Sequence, residues 1–200
     1  MRIRGVSQAI ALATATISVT AGVAEAHTGL PGHTHGFADG VLHPLSGLDH
    51  IGAMLAVGLW AASLGGRALW AVPSAFVALL AAGAAIGMSF SGGLPLVEAM
   101  ITASVVVLGL VVAADLRLPV LPAAALVGLF AVFHGLSHGA EMPAMAQPLA
   151  YGAGFILATA TLHLGGIGLG IGLHRLSGRV ATRAAGALTA CLGVAMALAG

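Results

Sequence analysis

Lysine is absent from this 200-residue chain, and cysteine occurs once, at Cys191. A lone thiol excludes an intramolecular disulfide, and its place in the last apolar stretch reads as a packing position. Charged residues make up only 6% of the chain against 59% hydrophobic. That balance excludes an ordinary soluble domain. No basic patch exists to hold nucleic acid, so no nucleic-acid partner is expected. There is no Walker-type phosphate loop, hence no use of ATP by that route, and H-E-x-x-H is absent.

What the chain has is a succession of apolar segments. Arg2 and Arg4 precede an apolar stretch to about Val23, then Ala24-Glu25-Ala26 offers small residues at both cleavage-determining positions. This pattern reads as a cleavable secretory signal peptide over 1–26, leaving His27 as the mature N-terminus. A short external segment, 27–42, follows. The remainder, 43–200, reads as an all-α, polytopic membrane bundle of six transmembrane helices at about 43–64, 68–89, 95–114, 119–139, 148–172 and 180–199. A signal peptide sets the mature N-terminus outside, so the first, third and fifth loops face the cytoplasm. They hold Arg67, Arg117, and Arg175, Arg179 and Arg183, whereas the intervening loops hold no arginine. Both termini are therefore expected outside. The pairs Gly83/Gly87, Gly135/Gly139, Gly166/Gly170 and Gly168/Gly172 have the spacing that lets helices approach closely in lipid. The dense run Gly165–Gly172 is also compatible with a broken helix.

Ionisable groups are costly inside such a chain, about 2.5–3.5 kcal/mol each at mid-bilayer on insertion scales, and those present usually mark a pathway. They gather in two clusters, HPLSGLDH (43–50) and HGLSHGAE (134–141). Pro44 suits a first helical turn, placing His43 at the outer end of helix one. His50 lies seven residues on and returns to the same face. Asp49 beside it can ligate a cation or orient an imidazole, and Gly47 leaves room above His50. His134 and His138 stand one turn apart on one side, with Glu141 on the same stripe. At 1.5 Å per residue, His50 and His134 both lie about 9 Å below the outer ends of their helices, whereas His163 lies roughly 22 Å down helix five. The order is a mouth, a binding layer and an inner relay. Imidazole and carboxylate without thiol suit a borderline divalent cation. Outside the bundle, His27, His33 and His35 form a short tract suited to metal capture.

Three strings carry a family resemblance. HPLSGLDHIGAMLAVGLWA matches the HPxxGxDH signature of the HupE/UreJ nickel and cobalt permeases. FHGLSHGAEMP is similar to that family's second motif, with Ser137 where alanine is expected, and LATATLHLGG (157–166) resembles its helix-five histidine region. The resemblance implies a bacterial inner-membrane transporter of Ni²⁺ or Co²⁺ that serves hydrogenase or urease maturation. It carries His43, Asp49 and His50 onto the first motif, and His134, His138 and Glu141 onto the second.

The expected function is thus import of a divalent transition metal, Ni²⁺ first and Co²⁺ next, by a secondary permease or facilitated diffusion. The metal-handling residues are His27, His43, Asp49, His50, His134, His138, Glu141 and His163. No catalytic activity and no resident cofactor are expected; the metal is cargo. Two alternatives stay open: an intramembrane zinc-dependent hydrolase, which needs three protein ligands around an open position, and a metal sensor or scaffold without flux.

Overall fold

Runs of Ala, Val, Leu and Gly longer than a bilayer is thick leave the backbone few ways to satisfy its own polar groups in lipid. The α-helix is one of them. The computed structural model describes residues 36–90, 95–142 and 146–199, and all regular structure among them is helical. The expected signal peptide and the terminal tract with His27, His33 and His35 lie outside the described residues. In chain order the helices are α1 (Phe37–Ser46), α2 (Leu48–Leu64), α3 (Ala68–Gly87), α4 (Pro95–Ala113), α5 (Val120–Ala140) and α6 (Pro148–Ala199). Helices α3 to α6 are each long and apolar enough to cross a membrane, and the pair α1 and α2 makes a fifth if taken as one bent span.

Two elements differ from the sequence expectation. Helix one was expected to run unbroken over 43–64; instead it begins at Phe37 and breaks at Gly47, where the chain bends by 86° between α1 and α2. Pro44 accordingly lies inside α1 and not in a first turn. The second difference is α6, whose 52 residues would extend about 78 Å at 1.5 Å per residue. That is more than twice the roughly 30 Å hydrocarbon core. Gly178 interrupts it with φ 62° and ψ −151°, a conformation essentially reserved for glycine. The Gly165–Gly172 run, by contrast, stays helical.

Packing directions show what the break does. Gly52 of α2 faces Val105 of α4, and Trp60 Nε1 donates to the Leu116 carbonyl at 2.8 Å, so α2 and α4 run parallel. The first arm of α6 (148–177) runs parallel to α2, with Gly166 against Gly58 and Gly170 against Ala62. The second arm (179–199) runs antiparallel to α4, with Gly186 against Ala113 and Gly193 against Val106. The two arms are therefore antiparallel, and the chain reverses at Gly178. Gly178→Ala is expected to cost about 1–3 kcal/mol through backbone strain, read as a lower thermal midpoint in detergent. Gly172→Ala, at an open position with ordinary φ, should leave the midpoint unchanged.

Helices α3 and α5 form a parallel pair in which glycine replaces side-chain bulk. A Cβ on Gly83 would strike the Val132 carbonyl, and one on Gly135 would strike that of Leu80; Gly87 and Gly139 repeat the contact one turn on. Between the helices lie Met54, Trp60, Phe76, Leu80 and Val127, all at most 1% exposed. Large apolar side chains such as Leu121 and Leu149 face outward, 80% and 90% exposed. A greasy exterior around an imidazole-bearing interior is the inverse of a water-soluble domain.

Candidate metal site

Both sequence clusters meet at one end of the bundle. α2 brings Asp49 and His50 in its first turn, α5 brings His134 and His138 in its last two turns, and the 86° bend folds His43 of α1 back over them. The His50 ring centroid lies 4.8 Å from that of His134 and 4.3 Å from that of His138, and His43 lies 4.7 Å from His138. Two groups of potential ligands result. His50, His134 and His138 are all buried, and their ligand atoms lie within 4.8 Å of one another. His43, His138 and Glu141 form a second, more open group at the same spacing, with Glu141 exposed. His138 belongs to both. Three atoms spread evenly around one ion with bonds of about 2.1 Å lie about 3.6 Å apart. Inward side-chain shifts of up to about 0.7 Å therefore bring either group to bonding distance.

The bonds around each ring decide which nitrogen is available. Asp49 Oδ1 accepts from the His50 backbone N–H at 2.7 Å and lies 2.6 Å from His50 Nδ1. A carboxylate there fixes the proton on Nδ1 and leaves the Nε2 lone pair free, the usual arrangement behind a metal-binding imidazole. Asp49 thus orients the His50 ring and stands outside both groups of three. Gly47 has the reason of space: any Cβ there would collide with the Asp49–His50 pair. On the other side, Ser104 donates to the Ile101 carbonyl at 2.6 Å, so its oxygen must accept from His134 Nε2 at 2.9 Å. That leaves His134 Nδ1 as the free acceptor. Buried His50 Nε2, His134 Nδ1 and both His138 nitrogens have no hydrogen-bond partner among the described residues. Orphaned polar atoms are rare in protein interiors and ask for an explanation. Here they belong to three rings that each offer a ligand atom within 4.8 Å of the others, and a divalent cation held by that group would give these rings partners.

Glu141 lies just beyond α5. Its carboxylate accepts from the Ser137 hydroxyl at 2.5 Å and faces His43 Nε2 at 3.6 Å. Burial pushes this carboxyl up, but the facing His43 ring and the Ser137 hydroxyl outweigh it and hold it below its ordinary value. Glu141 therefore remains an anion at neutral pH, placed at the more open group.

His163 is not part of either group. It sits in the first arm of α6 near Gly58, 1% exposed, with its ring centroid 5.0 Å from that of Phe76. Phe76 also faces His134 at 5.8 Å, so its ring stands between the binding layer and His163. His27 lies outside the described residues. Sequence reading missed Ser104 altogether; its only signal is a hydroxyl in the apolar run 99–114, which Thr102 shares. Ser104→Ala should weaken nickel binding by about 10–100-fold, the usual effect of losing an orienting partner. Competition against a chromophoric chelator would measure it, and unchanged affinity would show that the serine does not fix the His134 tautomer.

The family model described as "HupE / UreJ protein" matches residues 14–196 of this chain. Protein HupE of Rhizobium leguminosarum bv. viciae is 47% identical over 174 residues, covering 87% of this chain and 90% of that protein. No solved structure matches the chain.

Proposed function

The chain belongs to the HupE/UreJ family, generally associated with nickel and cobalt transport, and from that premise we propose that it carries Ni²⁺, with Co²⁺ as the next candidate, into the cell. The reading is of a permease in the bacterial inner membrane, not an enzyme, with six crossings after a cleaved signal peptide and both termini periplasmic. Counting α1 and α2 as one broken crossing and α6 as two supports that number. Arg117, Arg175, Arg179 and Arg183 line one cavity at the end of the bundle away from the histidine groups, in keeping with a positive cytoplasmic side. The delivered metal would supply hydrogenase or urease assembly.

One observation carries the transport reading: two groups of three ligands, one open and one buried, share His138. An ion arriving from outside first meets His43, His138 and the Glu141 anion, where it is still partly hydrated. Exchange of His43 and Glu141 for His50 and His134 moves it inward without release from His138. Such a hand-off keeps the ion coordinated throughout, which avoids the large cost of a bare charge in a low-dielectric interior. Beyond Phe76, His163 is the next imidazole on the inward route. At the outer side His27 collects the ion before it reaches the mouth. A hydrolase reading gains nothing from this geometry, since the shared ligand serves movement between two positions more naturally than one fixed metal.

The test is uptake of radioactive nickel by proteoliposomes containing the full-length protein, compared with His50→Ala. Wild type should accumulate nickel in the lumen, and His50→Ala should fall to the level of empty vesicles. Ligation requires neutral imidazole, and protons compete for the same lone pairs. Uptake is therefore expected to weaken as the external pH is lowered from neutrality into the acid range. Glu141, held below its ordinary carboxyl value, is still largely ionised at that value and contributes little loss above it. Uptake that does not weaken at any pH above the one at which the protein loses its fold would remove histidine ligation as the limiting step.

A further inference from the structure

At the opposite end of the bundle from the two histidine groups, a cavity of about 400 Å³, lined in part by His174, opens between the ends of α2 and α4 and the two arms of α6. Its lining includes Arg117, Arg175, Arg179 and Arg183 but only one carboxylate, that of Asp115. Asp115 bonds Arg117 and Arg179, each at 3.2 Å. Arg183 Nε donates to the Ala113 carbonyl at 2.8 Å, which uses one of the five N–H donors of the guanidinium. Neither Arg175 nor Arg183 is paired with a carboxylate among the described residues. The cavity therefore carries three positive charges in excess, held on three separate stretches of chain. A second observation comes from Thr182, which lines the same cavity, is 6% exposed, and has a buried hydroxyl without a hydrogen-bond partner. Thr161 and Thr189 bond the carbonyl four residues back, at 2.8 and 3.1 Å. Thr182 lacks that bond because the position four residues back is Gly178, where the helix is broken.

We propose that this cavity binds a phosphate-bearing anion, with the guanidinium groups of Arg175 and Arg183 on its oxygens and the Thr182 hydroxyl donating from below. Arginine presents planar, forked donors that match phosphate oxygens, and basic pockets between transmembrane helices on the cytoplasmic side suit acidic headgroups. The anion is either the headgroup of an acidic phospholipid or soluble phosphate. Only the assignment to the cytoplasmic leaflet rests on the orientation proposed above; the cavity and its charge do not.

The full-length protein would be released from membranes into detergent and its bound lipid read by native mass spectrometry. Phosphatidylglycerol is offered against phosphatidylcholine in one arm, and inorganic phosphate in a thermal-shift assay in the other. Phosphatidylglycerol retained in preference to phosphatidylcholine assigns the lipid; stabilisation by phosphate alone assigns the soluble anion. Arg175→Gln with Arg183→Gln should reduce the responding arm by on the order of tenfold or more. Thr182→Val, which alters no charge and so cannot disturb insertion, should reduce it severalfold. Arg67→Gln removes one positive charge at the same end but outside the cavity lining, and should leave it intact. An equal loss in Arg67→Gln and the double variant would reduce the cluster to a topology signal and overturn the proposal, as would no preference in either arm. Neither readout involves nickel, so failure here leaves the transport reading standing, and failure of transport leaves this one.

Discussion

Replacing His138 by alanine is expected to abolish nickel binding and uptake, with the largest effect of any single ligand. The reason is its double membership. His43→Ala removes a ligand from the open group alone, and His50→Ala from the buried group alone, whereas His138→Ala leaves each with two protein ligands. Loss of an orienting partner typically costs 10–100-fold in affinity, so loss of a ligand common to both positions should exceed about 100-fold. The same substitution has an opposite expectation for stability. His138 is 3% exposed, has its ring centroid 4.2 Å from that of Phe155 at a tilt of 53°, and has two nitrogens without partners among the described residues. Removing a buried polar group that lacks hydrogen bonds offsets part of the packing loss. The thermal midpoint of the metal-free variant should thus lie close to wild type while binding collapses. Chelator competition and a thermal scan on the same preparation separate the two, and affinity within threefold of wild type would refute the shared-ligand scheme.

How far the fold can be read from sequence follows from which constraints are local. Helices α3, α4 and α5 were expected at 68–89, 95–114 and 119–139 and occur at Ala68–Gly87, Pro95–Ala113 and Val120–Ala140. Their limits are set by Pro, Gly and the ends of apolar runs, all of which lie in the sequence itself. The break at Gly47 is not local. Its backbone is extended, at φ −102° and ψ 124°, a region open to any residue, so no turn signature announces it. It arises because α1 packs backbone to backbone on the first arm of α6, where a Cβ on Gly40 would strike the Tyr151 carbonyl and one on Gly154 that of Phe37.

The same distinction holds at the site. Helical rise and alternating topology suffice to bring His50 level with His134, and the two rings do adjoin. Expecting His43 and His50 on one helix face was wrong, because the bend puts them on different helices. The bend, and not the seven-residue spacing, carries His43 over His138 and so creates the second group. Ser104 was invisible for a related reason: its partner is thirty positions away on another helix, and nothing in the apolar run distinguishes its hydroxyl from that of Thr102. Among the glycine pairs, spacing alone overstated the case, since Gly166 and Gly170 press on α2 while Gly168 and Gly172 touch nothing.

The second large effect is expected from a residue that makes no polar contact. Gly135 lies between His134 and His138, and a Cβ at that position would meet the Leu80 carbonyl oxygen and the Ala84 nitrogen. These are backbone atoms in the C-terminal half of α3, so no side-chain rotation can make room. Gly135→Val must therefore push α5 away from α3, opening the parallel pair along its length. In lipid this contact is held by close packing without help from the hydrophobic effect, so lost proximity is lost stability, of the order of 4–5 kcal/mol for a severe backbone clash. Two ligands ride on the displaced helix. A shift of about 1 Å at His134 and His138 exceeds the adjustment of up to about 0.7 Å that closes either ligand group. Gly135→Val is thus expected to lose nickel binding even in whatever fraction remains helical and monodisperse. Gly128→Ala supplies the contrast on the same helix, because its added methyl meets only the end of the Leu79 side chain, which can turn aside. Circular dichroism with size-exclusion chromatography reports the fold, and chelator competition reports the site. Wild-type nickel affinity in Gly135→Val would mean that the depth and spacing of the imidazoles do not depend on glycine contact between α3 and α5.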